Sequence, residues 1–156
     1  MDEVKKIQSF TVDHDFITPG IYVSRIDKDI TTYDLRTRIP NADSYMDHST
    51  MHTTEHMLAT YIRNSEIKED VIYFGPMGCQ TGFYLLVQNA DNDIVRSVVI
   101  DVLEKIVAHE GEVFGASEIE CGNYKSLNLE SAQSEACRYL ESLNNDNNNF
   151  NYPKGE

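Results

Sequence analysis

The sequence has 156 residues, 40% hydrophobic and 25% charged, and its 26 acidic against 13 basic side chains leave a net charge of −13. Those values fit one globular domain with a real core and disfavour nucleic-acid binding, because an acidic surface repels phosphate. The longest apolar run, 83–87, is five residues against the ~20 of a membrane helix; with no secretory leader expected and three cysteines too few and uneven for a disulfide framework, a cytoplasmic chain with free thiols is anticipated.

Strand signals open the chain order. Segments 20–26 and 30–38 are β-rich and meet at Asp27-Lys28-Asp29, which reads as a hairpin. A helix is expected over 50–64, with Ser49 or Thr50 as its cap and Met57, Leu58, Tyr61 and Ile62 on its apolar face. Two further strands follow at 71–75 and 82–88. The clearest helix covers 94–109, where Ile94, Val95, Val98, Val99, Val102, Leu103, Ile106 and Val107 form one stripe of a 3.6-residue period. Asp91, Asn92 and Asp93 supply its cap, and Gly111 stops it. A last helix is expected over 129–143, capped by Asn128 and buried through Leu129, Ala132, Ala136, Leu140 and Leu143. Grouped strands separated by single helices favour an α+β fold with a mostly antiparallel sheet. The domain is therefore read as 1–143. The Asn-rich remainder, 144–156, offers little apolar area against its ordering entropy and reads as a loose tail.

Chemistry concentrates first on His52-Thr53-Thr54-Glu55-His56. On a helix, His52 and His56 differ by about 40° in azimuth, so both imidazoles face one way and suit a single metal ion. Glu55 lies about 60° from His52 on the other side, beside the ion without ligating it. The pattern is H-x-x-E-H. A third ligand is needed, and Cys121 in Glu120-Cys121-Gly122-Asn123-Tyr124 is a soft donor that would leave one position open; by spacing alone Cys79 serves equally. Cys79 sits in Gly75-Pro76-Met77-Gly78-Cys79-Gln80-Thr81-Gly82, where the glycines permit either a reactive thiol on a tight turn or a small buried turn residue. Cys137 reads as an inert helix position.

Taken together and in order, His52 to His56, Gly75-Pro76-Met77-Gly78-Cys79-Gln80-Thr81-Gly82-Phe83-Tyr84 and Glu120 to Tyr124 resemble the S-ribosylhomocysteine lyase (LuxS) family. Ser9-Phe10-Thr11-Val12-Asp13-His14, Asp34-Leu35-Arg36 and Pro40-Asn41 match as well, so the landmarks span nearly the whole chain. The resemblance implies His52, His56 and Cys121 as ligands of one divalent ion per subunit, Fe²⁺ with Zn²⁺ or Co²⁺ as substitutes. It implies Glu55 and Cys79 as general acid/base residues, and Ser9, His14 and Arg36 as substrate-binding residues. It further implies a two-layer α+β sandwich, and a homodimer with its sites at the subunit interface. Leu127 and Tyr73 depart from the family's pattern, the first where a His is common and the second where an acidic residue is common.

The implied reaction splits S-ribosylhomocysteine into homocysteine and 4,5-dihydroxy-2,3-pentanedione, the autoinducer-2 precursor, within the activated methyl cycle and quorum sensing. The thioether carbon is not adjacent to the aldehyde, so the carbonyl must migrate twice before β-elimination is possible. That calls for a Lewis acid and for bases on both sides of the carbon chain. From the residues alone, Arg36 could equally form an exposed salt bridge with Asp34, and His14 could be a surface histidine. Two other readings compete: an H-x-x-E-H metallohydrolase or protease, which leaves the Cys79 turn without a role, and a closed structural metal module, which would need four protein ligands.

Overall fold

A computed structural model describes residues 3–145 and 149–153. Four antiparallel strands, β1 (Gly20–Asp27), β2 (Ile30–Arg36), β3 (Val71–Pro76) and β4 (Gly82–Gln88), form one sheet in the order β1-β2-β4-β3. Three helices, α1 (His48–Ile62), α2 (Asn92–Ala108) and α3 (Leu129–Asn144), make the second layer. The architecture is the α+β two-layer sandwich that the order of strand and helix signals implies.

Period-two alternation divides the sheet. Tyr33 and Leu35 of β2 and Phe83, Leu85 and Val87 of β4 point into the core. There they meet Met57, Leu58 and Ile62 of α1, the valine stripe of α2, and Ala132, Ala136, Tyr139 and Leu143 of α3. Each large apolar side chain buried this way contributes about 1.5–3 kcal/mol. Asp34, Arg36 and Tyr84 alternate with those residues and so lie on the opposite face.

The hairpin between β1 and β2 turns at Lys28, at φ 57°, and Gly82 is needed where β4 passes β2. A Cβ at Gly82 would stand 2.6 Å from the Leu35 carbonyl oxygen, a main-chain atom that cannot swing aside. Capping follows the side-chain chemistry: Asp91 accepts from Ile94 N–H at 3.1 Å and Asn128 from Ser131 N–H at 3.1 Å. The cap of α1 is Asp47, which accepts from Thr50 N–H at 2.8 Å, so the helix starts earlier than the expected Ser49 or Thr50. A carboxylate is a strong acceptor for a free N–H at a helix start. Similarly, α2 closes at His109, with Gly111 two residues further on.

Residues 149–153 run back over the sheet. Phe150 is buried and accepts from Val23 N–H at 2.8 Å on edge strand β1. Tyr152 stacks on Tyr22 with ring centroids 4.9 Å apart. Two aromatic rings supply the burial that the asparagine-rich composition conceals. The rest of that end, 146–148 and 154–156, lies outside the described residues.

Candidate metal centre and thiol cavity

The helix expected to present two imidazoles on one side does so. His52 and His56 stand edge to face with ring centroids 4.6 Å apart, one turn apart on α1. The loop before α3 brings Cys121 to them, with Cys121 Sγ 3.5 Å from His52 Nε2. One donor atom from each of the three residues lies within 4.8 Å of the others. Of the two cysteines that spacing left open, Cys121 is the one that lies with the histidines, and Cys79 is elsewhere.

Donor chemistry fits a metal ion. His56 Nδ1 donates to the Phe114 carbonyl oxygen at 2.8 Å, which leaves Nε2 as the bare lone pair. Gly115, at φ +69°, permits that approach, since a Cβ there would sit 3.1 Å from His56 Nδ1. His52 Nδ1 donates to Ser126 Oγ at 2.6 Å while that hydroxyl donates to the Asn123 carbonyl at 3.0 Å. Burial, followed by the neighbouring His56 and His48, pulls the His52 imidazole below its ordinary pKa, favouring the neutral form that ligates. The Asn123 N–H points at Cys121 Sγ at 3.4 Å, as suits a thiolate acceptor. Two imidazoles and a thiolate are a transition-metal donor set with a coordination position to spare.

Loop and helix are fastened together. Ser49 Oγ donates to the Ser126 carbonyl at 2.6 Å, and Thr53 Oγ1 accepts from Asn128 N–H at 2.8 Å. Glu55, between His52 and His56 in sequence, is half-buried, and burial raises its carboxyl above the ordinary range against the opposing charge of His56. A carboxyl shifted toward neutrality is suited to exchanging protons.

A second cavity, of about 320 Å³, gathers Ser9, His14, Arg36, Met77, Cys79 and Tyr84 on the sheet face away from the core. Cys79 is exposed on its turn, so it is not the small buried turn residue that its glycines also allowed. His14 is fixed by a 2.9 Å bond between Nδ1 and the Val12 carbonyl. Arg36 differs from the exposed ion pair that the sequence permitted. It is 2% exposed, and Asp34 is fully buried; Nε and Nη2 donate to the two Asp34 oxygens at 3.1 and 2.6 Å. Burial works against the Arg36 cation, but Asp34 more than offsets it and holds it above its ordinary value. Tyr84 is pushed up chiefly by burial, with Asp34 adding to it.

The eight residues singled out by sequence thus fall into two groups: Glu55 with His52, His56 and Cys121 around α1, and Ser9, His14, Arg36 and Cys79 across the sheet. Sequence reasoning did not find Ser126, Phe114, Thr81 or Tyr152. Thr81, two residues past Cys79, had a positional signal; the others carry none, because their contacts come from distant chain segments.

Comparison with known proteins shows the family. The profile of the family described as "S-Ribosylhomocysteinase (LuxS)" matches residues 7–150. An S-ribosylhomocysteine lyase of Borreliella burgdorferi (strain ZS7) is 44% identical over 158 residues, covering 96% of this chain and 100% of the relative. Proteins of the same name from Borreliella afzelii (43% identical; 96% and 100% covered) and Finegoldia magna (41%; 97% and 100%) are similar to nearly the same extent.

Proposed function

The chain belongs to the S-ribosylhomocysteinase (LuxS) family, and we propose that it performs the family's reaction with His52, His56 and Cys121 as metal ligands and Glu55 and Cys79 as acid/base groups. It is a carbon–sulfur lyase, cleaving S-ribosylhomocysteine to homocysteine and 4,5-dihydroxy-2,3-pentanedione. The observation that carries the assignment of residues is the pair of imidazoles with Nδ1 already engaged, converging with Cys121 Sγ. Four protein ligands would favour a closed structural site; three leave room for substrate.

A divalent cation held there, Fe²⁺ in this proposal with Zn²⁺ or Co²⁺ able to replace it, supplies Lewis-acid polarisation of the sugar oxygens. Cys79 Sγ takes the C2 proton of the open-chain aldose and returns it at C1, moving the carbonyl to C2. A second enolisation moves it to C3, with Glu55 passing protons between the oxygens. Glu55 then removes the C4 proton, and the homocysteine thiolate leaves from C5. Arg36, His14 and Ser9 hold the substrate in the cavity that Cys79 shares with them.

We infer that two copies of the chain build each site, as a homodimer with its sites at the interface. The Cys79 cavity and the His52, His56 and Cys121 cluster have no residue in common, and Arg36 and Tyr84 face away from the layer that carries α1. Val4, Ile7 and Phe10 are 93%, 60% and 69% exposed, and Phe10 lines the cavity; a homodimer would cover such apolar surface. We assign the lyase domain to 1–143 and read 144–156 as an Asn-rich tail. No helix among the described residues is long and apolar enough to cross a membrane. Three free thiols suit a reducing cytoplasm, where we place the reaction and its contribution to autoinducer synthesis.

Thiol release from S-ribosylhomocysteine, run beside a peptide substrate, tests the reading. Cys79→Ala and Glu55→Gln should retain metal and lose turnover by ~10² to 10⁴, whereas His52→Ala, His56→Ala and Cys121→Ala should lose metal and turnover together. A Cys121→Ala protein with full metal content would refute the ligand set. Substrate deuterated at C2 should exchange or transfer its label in a Cys79-dependent reaction. Homocysteine released with that label wholly retained in place would mean elimination without carbonyl migration.

A further inference from the structure

Thr81 follows Cys79 by two residues on the turn into β4, and the scheme above gives it no part. It is 1% exposed, yet its hydroxyl lies between two groups of the cavity, 2.8 Å from Arg36 Nη1 and 3.0 Å from Cys79 Sγ. A guanidinium has donors only. Thr81 Oγ1 therefore accepts from Arg36, which leaves its single hydrogen available to the sulfur. The arginine cannot turn away, because its other two nitrogens are engaged by Asp34. Asp34 is itself held by the Tyr152 hydroxyl, which donates to Oδ2 at 2.8 Å. The turn is secured independently of that hydroxyl: the Thr81 carbonyl accepts from Thr37 and Arg38 N–H, each at 3.0 Å.

We propose that Thr81 is the positioning residue of Cys79, its hydroxyl donating to Sγ and passing to it the polarisation imposed by the Arg36 cation. A donor that is itself hydrogen-bonded to a cation makes a stronger bond to an anionic acceptor than an isolated hydroxyl does. The bond stabilises the thiolate and fixes it at the mouth of the cavity, where a C–H proton has to be reached. This inference rests on the assignment of Cys79 as an acid/base group.

Alkylation provides a readout apart from turnover, and Cys137 is a built-in reference, being exposed on α3 in the same chain. In the full-length protein, rates of iodoacetamide labelling at Cys79 and Cys137 are followed by peptide mass spectrometry at pH 7. Thr81→Val keeps the shape and removes the hydroxyl; Thr81→Ser keeps the hydroxyl. Thr81→Val should slow Cys79 labelling about tenfold, the scale of a lost charge-assisted bond, with Cys137 unchanged, and lower kcat with little change in KM. Thr81→Ser should restore both. Loosening of the turn alone would expose Cys79 and speed its labelling, so an equal or faster rate in Thr81→Val overturns the proposal. Should Thr81→Val not fold, Thr81→Ala carries the same comparison. A fully active Cys79→Ala protein refutes the acid/base assignment itself; an inactive one beside a Thr81→Val protein labelled at the wild-type rate refutes only the role of Thr81.

Discussion

Ser126 Oγ stands 2.6 Å from His52 Nδ1 and donates its own hydrogen bond to the Asn123 carbonyl. The serine is thereby fixed as an acceptor, and the histidine as the tautomer with Nε2 bare. Removing the hydroxyl leaves the imidazole free to rotate or to change tautomer. Ser126→Ala should weaken metal binding about 10- to 100-fold, as loss of such a partner does elsewhere. Competition with a chelator measures it, and an unchanged affinity would show that His52 needs no such support.

Gly82 is a steric requirement. A methyl group there meets the Leu35 carbonyl oxygen at 2.6 Å and the Arg36 Cα at 3.1 Å, so β4 must move away from β2. Gly82→Ala should cost about 1–3 kcal/mol, the usual range for overpacking. Arg36 and Thr81 adjoin that contact, and turnover should fall along with stability. Urea unfolding of the variant checks the first part and thiol release the second.

Asp47 makes α1 pH-dependent at its start. The hydrogen bond from Thr50 lowers its carboxyl below the ordinary range, so the folded state favours the ionised form. That contribution is complete above the unfolded carboxyl's pKa of about 4. It is lost as the pH falls through the lowered folded value. Asp47→Ala should cost about 0.5–1 kcal/mol at pH 7, toward the lower end for a cap because solvent screens it. The gap from wild type should close below pH 4. Denaturation at pH 7 and pH 3 reads it, and a gap that persists in acid would show that the cap acts through something other than charge.

Thr54 shows the opposite economy. Its hydroxyl is buried and has no hydrogen-bond partner among the described residues, although it sits inside the motif between His52 and His56. Thr54→Val removes a polar atom that has lost its water without finding a replacement. It should stabilise the protein by about 1 kcal/mol, a rise of roughly 2–4 °C in Tm for a chain of this size. Calorimetry decides, and a lower Tm would mean that the hydroxyl is satisfied in solution.

Much of the fold was legible because its signals are local. The α2 stripe needs no distant information, and neither do the hairpin at Lys28 nor the i, i+4 histidines. Even so, the sequence points to Ser49 or Thr50 and not to Asp47 as the cap, since three capping residue types fall within four positions and only the backbone decides among them. The pairing of Asp34 with Arg36 was also legible as alternation along one strand. Its burial was not, because the aromatic cover comes from Tyr152, 118 residues away. The Phe114 carbonyl was beyond reach altogether: any residue type could supply it, so no side chain records the role.

The fastening of the Cys121 loop to α1 through Ser49, Thr53, Ser126 and Asn128 affects when the conformational entropy of that loop is lost. The loss occurs as the chain folds, since none of these hydrogen bonds involves a ligand lone pair. An arriving ion therefore meets a frame already assembled, and its affinity is not reduced by the cost of ordering a loop. With the proposed ligands, ion exchange would then be a matter of displacing protons and hydration water, without the fold passing through a disordered state.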